Sequence, residues 1–248
     1  MEEKIQLFEQ VALEFGLSLQ EVVDYWTRQG KVKQTLSQTE VEQENKAVQQ
    51  QNVEDVLVVN PEFPADDVRS RTQLFWYAFE GKKFSPNHDA YPNCQGVVGW
   101  INPNPNAPDG DKIYVVLPEQ QTLQYFTKFV ETGTNDLYDG RANTLKLIKY
   151  GKKHNVNFPP AEFAFNYTEN GVKKGEAFWP ARKQLERVAE NCYDIRKSLK
   201  LIGGTFEGWL WSSSERSGIY AWGVDASDGD VGNYPKDIDK SVSCFLAY

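Results

Sequence analysis

The order of the secondary-structure signals along this chain of 248 residues predicts an α+β fold. Short strand patterns come first, helical patterns follow in the middle, and short strands return at the C-terminus. Strands and helices do not alternate as in a βαβ unit, so a parallel sheet with crossover helices is not expected. Aromatic residues make up 13% of the chain, which suits a β-rich core, and the 40% hydrophobic content is enough for one sizeable core with an appendage.

The first thirty residues predict two short amphipathic helices. Gly16 ends the first helix, Ser18 and Glu21 form a capping-box pattern ahead of the second, and Gly30 is its expected stop. The apolar residues at helical spacing are Ile5, Phe8, Val11, Ala12 and Phe15, then Val22, Val23, Tyr25 and Trp26. Because two such helices cannot fold alone, we interpret residues 1–30 as a helical anchor that packs on the main domain or on another chain.

Residues 31–54 are dominated by Gln, Glu, Lys and Thr, and two interpretations of this segment stay open. It is either a solvated polar linker or a helical stalk with a weak heptad, in which Val41 and Val48 are one repeat apart. A stalk would make the protein a homo-oligomer through its N-terminal segment.

From residue 55 onward the pattern changes to strands and loops. Four apolar segments predict a strand at 56–59, a hairpin from Leu74–Phe79 through Gly81 to Phe84-Ser85, and strands at 97–101 and 113–117. The proline- and asparagine-rich residues 102–111 predict an exposed loop. Helices are expected over 123–130 and 141–153.

The clearest helix runs over residues 185–202, where apolar residues recur at spacings of three and four. Pro180 lies near its start, Gly203-Gly204 stops it, and Asn191 is a candidate break within it. Four short strands follow, at about 208–213, 218–225, 229–234 and 241–247. Together, residues 55–248 are predicted to form the main domain.

Charge and hydropathy limit the partners and the compartment. The formal net charge of −8 argues against nucleic acid and against an anionic membrane surface, since both need a basic face. No apolar stretch approaches the roughly 18 residues of a membrane span, and the acidic N-terminus does not resemble a signal peptide. We therefore expect no membrane insertion, no signal peptide and synthesis in the cytoplasm.

The sequence offers no pattern for catalysis or for a metal. Cys94, Cys192 and Cys244 lie far apart and read as buried thiols, while His88 and His154 have no ligand-spaced companion. Nucleophile elbows, phosphate loops and dinucleotide-binding motifs are absent. The Asp-rich turns at 109–111 and 225–230 miss the EF-hand order, so turn-forming aspartates are the simpler interpretation. We expect a non-enzymatic protein without a metal or a cofactor.

The last forty residues instead have the composition of a contact surface, with tryptophans, tyrosines, serines and short charged residues crowded into turns. Several segments of residues 72–248 resemble, in the same order, C-type-lectin-fold domains of the Lcl C-terminal type and the variable proteins of diversity-generating retroelements. The matching segments are Gly81–Ser85 with Gly96-Val97-Val98, Asp139–Thr144, Pro160-Ala161-Glu162, Phe178–Ala181 with Leu185, Ile202-Gly203-Gly204, Trp211–Glu215, Ala221-Trp222, Asp228-Gly229 and Lys236. Trp179, Gln184 and the Val242–Phe245 stretch depart from the family pattern.

The resemblance implies a C-type lectin-like fold whose last strands display a ligand-binding face, which in the retroelement proteins is diversified and in phages binds the host receptor. It implies that Trp211, Ser212, Ser213, Gly229 and Lys236 belong to the scaffold. The residues it implies for the face are Arg216, Ser217, Ile219, Tyr220, Trp222, Asp228, Asp230, Tyr234, Pro235, Asp237 and Asp239.

The expected function is therefore recognition of a protein or glycan on a cell-surface receptor, by a phage virion protein or a retroelement variable protein. The calcium motifs of sugar-binding lectins are missing, so sugar binding does not follow from the fold. Two alternatives stay open: a structural protein that uses the same face for assembly, and a relative of the formylglycine-generating oxidases, which share the fold but need a reactive cysteine pair.

Overall fold

The computed structural model describes residues 62–104, 112–126 and 129–248. The predicted helical anchor, the polar linker or stalk, the strand at 56–59 and most of the loop at 102–111 lie outside the described residues. The strands are β1 Tyr77–Phe79, β2 Lys83–Ser85, β3 Cys94–Ile101, β4 Ile113–Gln124, β5 Trp209–Glu215, β6 Tyr220–Asp225, β7 Val231–Pro235 and β8 Asp239–Ala247. The helices are α1 Gly140–His154, α2 Pro159–Asn166, α3 Arg182–Ala189 and α4 Cys192–Leu201, with short 3-10 turns at Val68–Arg71 and Glu169–Gly171.

Within this part of the chain the strands form one mixed sheet in the order β2-β1-β3-β4-β8-β5-β6-β7. Neighbouring strands are antiparallel except β5 and β8, which run parallel where Leu210 faces Ser241. The predicted α+β class is confirmed, because the helices form a block between β4 and β5 rather than alternating with the strands. In the described residues no helix is long and apolar enough to cross a bilayer.

Two hydrophobic clusters cover the opposite faces of the sheet. Alternation along β4 sends Val115 to one face and Val116 to the other. The Val115 face packs against α1 and α2 through Leu147 and Ala161, whereas the Val116 face packs against α3 and α4, with Leu185 among its contacts. The helices therefore lie on both sides of the sheet.

Local capping explains where the helices begin and end. The Asp139 side chain accepts from the Ala142 N–H at 2.7 Å at the start of α1, and Asn155 ends that helix in the left-handed conformation. The Gln184 side-chain oxygen accepts from the N–H groups of Ala181 at 2.9 Å and Gly140 at 3.0 Å, which ties the start of α3 to the start of α1. Gln184 thus joins the starts of the two helices through one amide oxygen.

The helix predicted over 185–202 is divided at Asn191 into α3 and α4, as its position suggested. The hairpin of β1 and β2 is also confirmed, although β1 begins only at Tyr77 because Phe75 adopts a positive φ of 70°.

The helix predicted over 123–130 is wrong. Leu123 and Gln124 continue β4, where they pair with Lys240 and Asp239 of β8, and the described residues beyond them form no helix before Gly140. The Phe126 N–H donates to the Lys236 carbonyl at 3.1 Å, so this backbone group bonds the segment after β7 rather than a preceding turn of helix.

Helix α2, which we did not predict from the sequence, begins with two prolines. Pro159 and Pro160 occupy its first turn, where the missing N–H groups cost nothing, and Ala161 and Ala164 are buried against the core. The signal in the sequence is this proline start followed by alanines three residues apart.

Candidate functional site

A buried ion pair anchors the segment that was predicted to carry the site. Glu215 ends β5, and its Oε2 accepts from Lys236 Nζ at 2.7 Å, with only 2% and 1% of the two side chains exposed. Glu215 Oε1 accepts from the backbone N–H groups of Thr132, Gly133 and Thr134. One carboxylate therefore fixes the loop before α1, the end of β5 and the turn after β7.

Three serines in β5 connect this strand to its surroundings. The Ser212 hydroxyl donates to the Trp222 carbonyl at 2.9 Å, and the Ser214 hydroxyl donates to the Asp136 carbonyl at 2.6 Å. The Arg182 N–H, at the start of α3, donates to the same Ser214 hydroxyl at 3.1 Å. The three serines lie in a register shift of β5 against β6, where ladder bonds are missing. The hydroxyls of Ser212 and Ser214 satisfy backbone groups, and Ser213 Oγ accepts from the Asn143 side-chain amide at 3.3 Å.

The tryptophans behind β5 are fully buried. Trp179 donates from Nε1 to the Trp211 carbonyl at 2.7 Å, and Tyr125 packs against both rings. The indole N–H of the buried Trp179 thus has a specific acceptor. Of the five residues implied for the scaffold, Trp211, Ser212, Ser213 and Lys236 are buried, whereas Gly229 is half-buried in the turn after β6.

The eleven residues implied for the face are exposed or half-buried, but they do not form one surface. Arg216, Ser217 and Ile219 lie in the turn between β5 and β6, whereas Asp228 and Asp230 lie in the turn at the other end of β6. Asp237 follows β7 and Asp239 begins β8; both are exposed.

The register of β6 and β7 also divides the strand residues between two faces. Tyr220 faces Pro235, and Trp222 shares their side of the sheet, while Tyr234 faces Ala221 on the other side. A single partner surface therefore cannot contact Tyr220, Trp222 and Tyr234 side by side.

Tyr234 packs against the chain's own lysine. Lys240 Nζ lies 3.4 Å from the centre of the Tyr234 ring, 5.3 Å from Trp209 and 5.7 Å from Trp211. Burial lowers the pKa of the Lys240 ammonium, and the nearby Asp225 carboxylate opposes this effect. Because the Lys240 ammonium lies against the Tyr234 ring, this ring contributes to packing within the chain on this side of the sheet.

On the other face, Trp222 contacts two arginines. The guanidinium of Arg182 lies 4.7 Å from its ring centre and that of Arg216 lies 5.4 Å away. Ile219 and Tyr220 beside them are 49% and 40% exposed. We call Arg182, Arg216, Ile219, Tyr220 and Trp222 the arginine–tryptophan patch. Arg182 was missed in the sequence because it lies on a helix about forty residues from Trp222, and sequence spacing carries no signal for that contact.

The aspartates near the end of β6 stabilise their own turn. Asp225 accepts from the Ser227 N–H at 2.8 Å and Asp228 accepts from the Asp230 N–H at 2.9 Å, while Gly229 adopts a φ of 81°. No group of three or more metal-ligating side chains occurs among the described residues.

The cysteines are three free thiols, and the expectation that all are buried is wrong for two of them. Cys244 is buried, which raises the pKa of its thiol well above the usual range. Cys94 is half-buried, and desolvation raises the pKa of its thiol to about 11. Cys192 is also half-buried, and its thiol donates to the Ser227 carbonyl, with 3.0 Å between sulfur and oxygen.

An open groove of about 410 Å³ lies between β4 and α2, away from the predicted site. Its walls carry Glu119, Glu162 and Glu169 together with the rings of Phe163 and Tyr167.

The chain is similar in structure to a known protein but not in sequence to any known family. No protein-family model matches the sequence, and no curated protein does. Among solved structures, a fimbrial protein from Bacteroides ovatus ATCC 8483 is similar, with a TM-score of 0.56 and 14% identity over 72% of this chain. The match covers 49% of that protein, so the chain spans about half its length. At this identity the similarity concerns the fold alone.

Proposed function

We propose that the chain is a non-enzymatic recognition protein in which a C-type-lectin-like domain displays a C-terminal face to a protein or glycan receptor. The setting that fits the sequence resemblance is a phage virion protein or a variable protein of a diversity-generating retroelement. The fold similarity to a fimbrial protein does not bear on this choice, because it reports architecture only.

The observation that carries the proposal is the abrupt change from scaffold to surface at the end of β5. Glu215 is buried in an ion pair, and the next residue, Arg216, is exposed together with Ile219 and Tyr220. Rigid aromatic and arginine side chains on a fixed hairpin are the typical anchors of binding interfaces. Of the eleven implied residues, those in the arginine–tryptophan patch are our candidates for partner contact.

The chemistry of the thiols and serines supports a binding role over catalysis. The hydroxyls of Ser212 and Ser214 bond backbone carbonyls, which leaves them poorly suited as nucleophiles. The raised pKa values of Cys94 and Cys244 disfavour the thiolates that an oxidase would need.

The proposal is tested by panning the full chain against a random-peptide display library and a glycan array. Ligands found in either screen should lose binding to the double variant Ile219→Ala, Tyr220→Ala. The control is Tyr193→Ala, which removes a tyrosine that is 72% exposed on α4. Ligands that bind the double variant as well as the wild type would place recognition elsewhere and contradict the proposal.

A second candidate function is assembly through the same face, since exposed Ile219 and Tyr220 would serve a self-contact equally well. In that case neither screen yields a ligand, and the wild-type chain self-associates in sedimentation velocity while the double variant does not.

A further inference from the structure

Resting on the proposed function, we infer that the arginine–tryptophan patch binds a protein partner through a carboxylate of that partner, with Arg182 and Arg216 as its two donors. Arg182 lies outside the residues that the sequence resemblance implied. The inference thus adds a helix residue to the face and names the chemistry of the ligand.

The positive charge of the patch is only partly paired within the chain. Two guanidiniums lie over one indole ring, and among the described residues one carboxylate forms an ion pair with them: Glu186 Oε1 lies 2.9 Å from Arg182 Nε. Glu131 lies next to Gly218 in the turn that carries Arg216, but it forms no ion pair with that arginine. Glu186 also pairs with Lys183, so its charge is shared. The nearby Asp136 carboxylate already accepts from the backbone at Tyr138 and Asp139.

Arg216 is the less engaged of the two arginines. It is exposed, and within the described part of the chain it has no ion pair or side-chain hydrogen bond apart from its contact with the ring. In a chain with a net charge of −8, an exposed guanidinium without an ion pair favours an anionic partner group.

The position of the two guanidiniums over the Trp222 ring also suits a carboxylate ligand. A guanidinium in cation–π contact with a ring keeps N–H donors for a second partner, and their fork matches a carboxylate in two parallel hydrogen bonds. The Trp222 ring thus orients the two arginines in advance, which reduces the side-chain entropy lost when a partner binds.

The same contacts favour a protein over a glycan as the partner. A sugar stacked on Trp222 would compete with the two guanidiniums that lie 4.7 and 5.4 Å from its ring centre. The exposed side chains of Ile219 and Tyr220 beside the arginines suit apolar residues flanking an acidic side chain, and Trp, Tyr and Arg are the residue types that dominate protein interfaces.

The experiment is to pan a random dodecapeptide library on the immobilised full chain and to measure the selected peptides by calorimetry. We expect enrichment of Asp or Glu next to apolar residues. Arg216→Gln should weaken binding of these peptides at least about tenfold, as expected for loss of a charge-assisted pair in an interface. Arg216→Lys keeps the charge but loses the planar fork, so its affinity for these peptides should lie between the affinities of the wild type and of Arg216→Gln.

The matched control is Lys149→Gln, which removes one positive charge from an exposed position on α1, on the opposite side of the sheet. It should leave the affinity unchanged. Arg182→Gln is measured as well, with its circular dichroism and melting temperature compared with wild type, and it should weaken binding without unfolding the chain.

Each remaining outcome decides against the inference. Peptides that lack acidic residues, lose binding in the Ile219→Ala, Tyr220→Ala variant and ignore Arg216→Gln would overturn the carboxylate ligand but keep the proposed face. Binding of hyaluronate or heparin in place of any peptide would overturn the protein partner. Absence of any ligand would overturn both the inference and the proposed receptor recognition.

Discussion

The buried ion pair of Glu215 and Lys236 leads to a quantitative prediction about the C-terminal segment. Glu215→Gln removes the negative charge but keeps one side-chain oxygen for the three backbone N–H groups of the 132–134 loop. The ammonium of Lys236 then stays buried without its counter-charge. Removal of one partner of a buried pair costs about 3–5 kcal/mol.

We expect the lower part of that range, about 3–4 kcal/mol, for Glu215→Gln. Lys236 Nζ keeps its hydrogen bond to the Val130 carbonyl at 3.0 Å, and burial already lowers the pKa of this lysine, so it can lose its proton more easily than an exposed one. Lys236→Met leaves Glu215 with its backbone donors, and we expect a loss of about 1.5–3 kcal/mol, the value of one hydrogen bond to a charged group.

The assay is urea denaturation followed by tryptophan fluorescence, with the double variant completing a mutant cycle. The double variant should be less destabilised than the sum of the single variants by about 1–3 kcal/mol, because neither charge is left alone. The control is Lys183→Met, which breaks the more exposed pair with Glu186 and should cost at most about 1 kcal/mol. A coupling energy below about 0.5 kcal/mol would refute the view that the pair acts as a unit.

Two further predictions concern titration and thiol reactivity. Hydrogen bonds from Arg69 hold the pKa of the buried Asp67 carboxyl below its usual value, so its stabilisation is present above about pH 4 and is lost as the pH falls. Asp67→Asn should flatten the dependence of the unfolding free energy on pH between about pH 4 and 2, and an unchanged slope would contradict this assignment. For the thiols, labelling of the folded chain at pH 8 should modify Cys192 first, since burial disfavours the thiolates of Cys94 and Cys244. Peptide mapping by mass spectrometry checks the order, and Cys244 labelled as fast as Cys192 would be the opposite result.

Local signals were sufficient for much of the fold. The division of the 185–202 helix at Asn191 and its end at Gly203 follow from residues whose preferences act within one turn. The four C-terminal strands were also predicted close to their observed bounds, since turn residues separate them.

The second half of β4 shows where local preference fails. Residues 119–124 are Glu, Gln, Gln, Thr, Leu and Gln, and most of these are good helix formers. They form a strand because β8, more than a hundred residues later, pairs with them from Gln120 to Gln124. Strand formation of this kind depends on a neighbour that the local sequence does not reveal.

The candidate site was limited by strand register in the same way. The sequence indicates that every second residue of β6 and β7 points outward, but only the pairing of Ala221 with Tyr234 decides which residues share a side. That pairing places Tyr234 with Lys240 and separates it from Trp222. Arg182 contacts Trp222 from helix α3, on the side of the sheet opposite Tyr234, and this contact depends on tertiary packing.

The eleven residues assigned to the face by the sequence resemblance therefore differ in how well they should tolerate substitution. Ile219, in the turn after β5, is 49% exposed and belongs to neither hydrophobic cluster, so substitutions there should change stability by about 0.5 kcal/mol or less. Trp222 and Tyr234 are half-buried against cationic side chains, and their replacement removes packing on both sides of β6. If the segment is diversified, variation should therefore concentrate in the turn and spare these two rings. The buried ion pair of Glu215 and Lys236 is compatible with such variation, because it holds the end of β5 and the turn after β7 in place without using any exposed side chain.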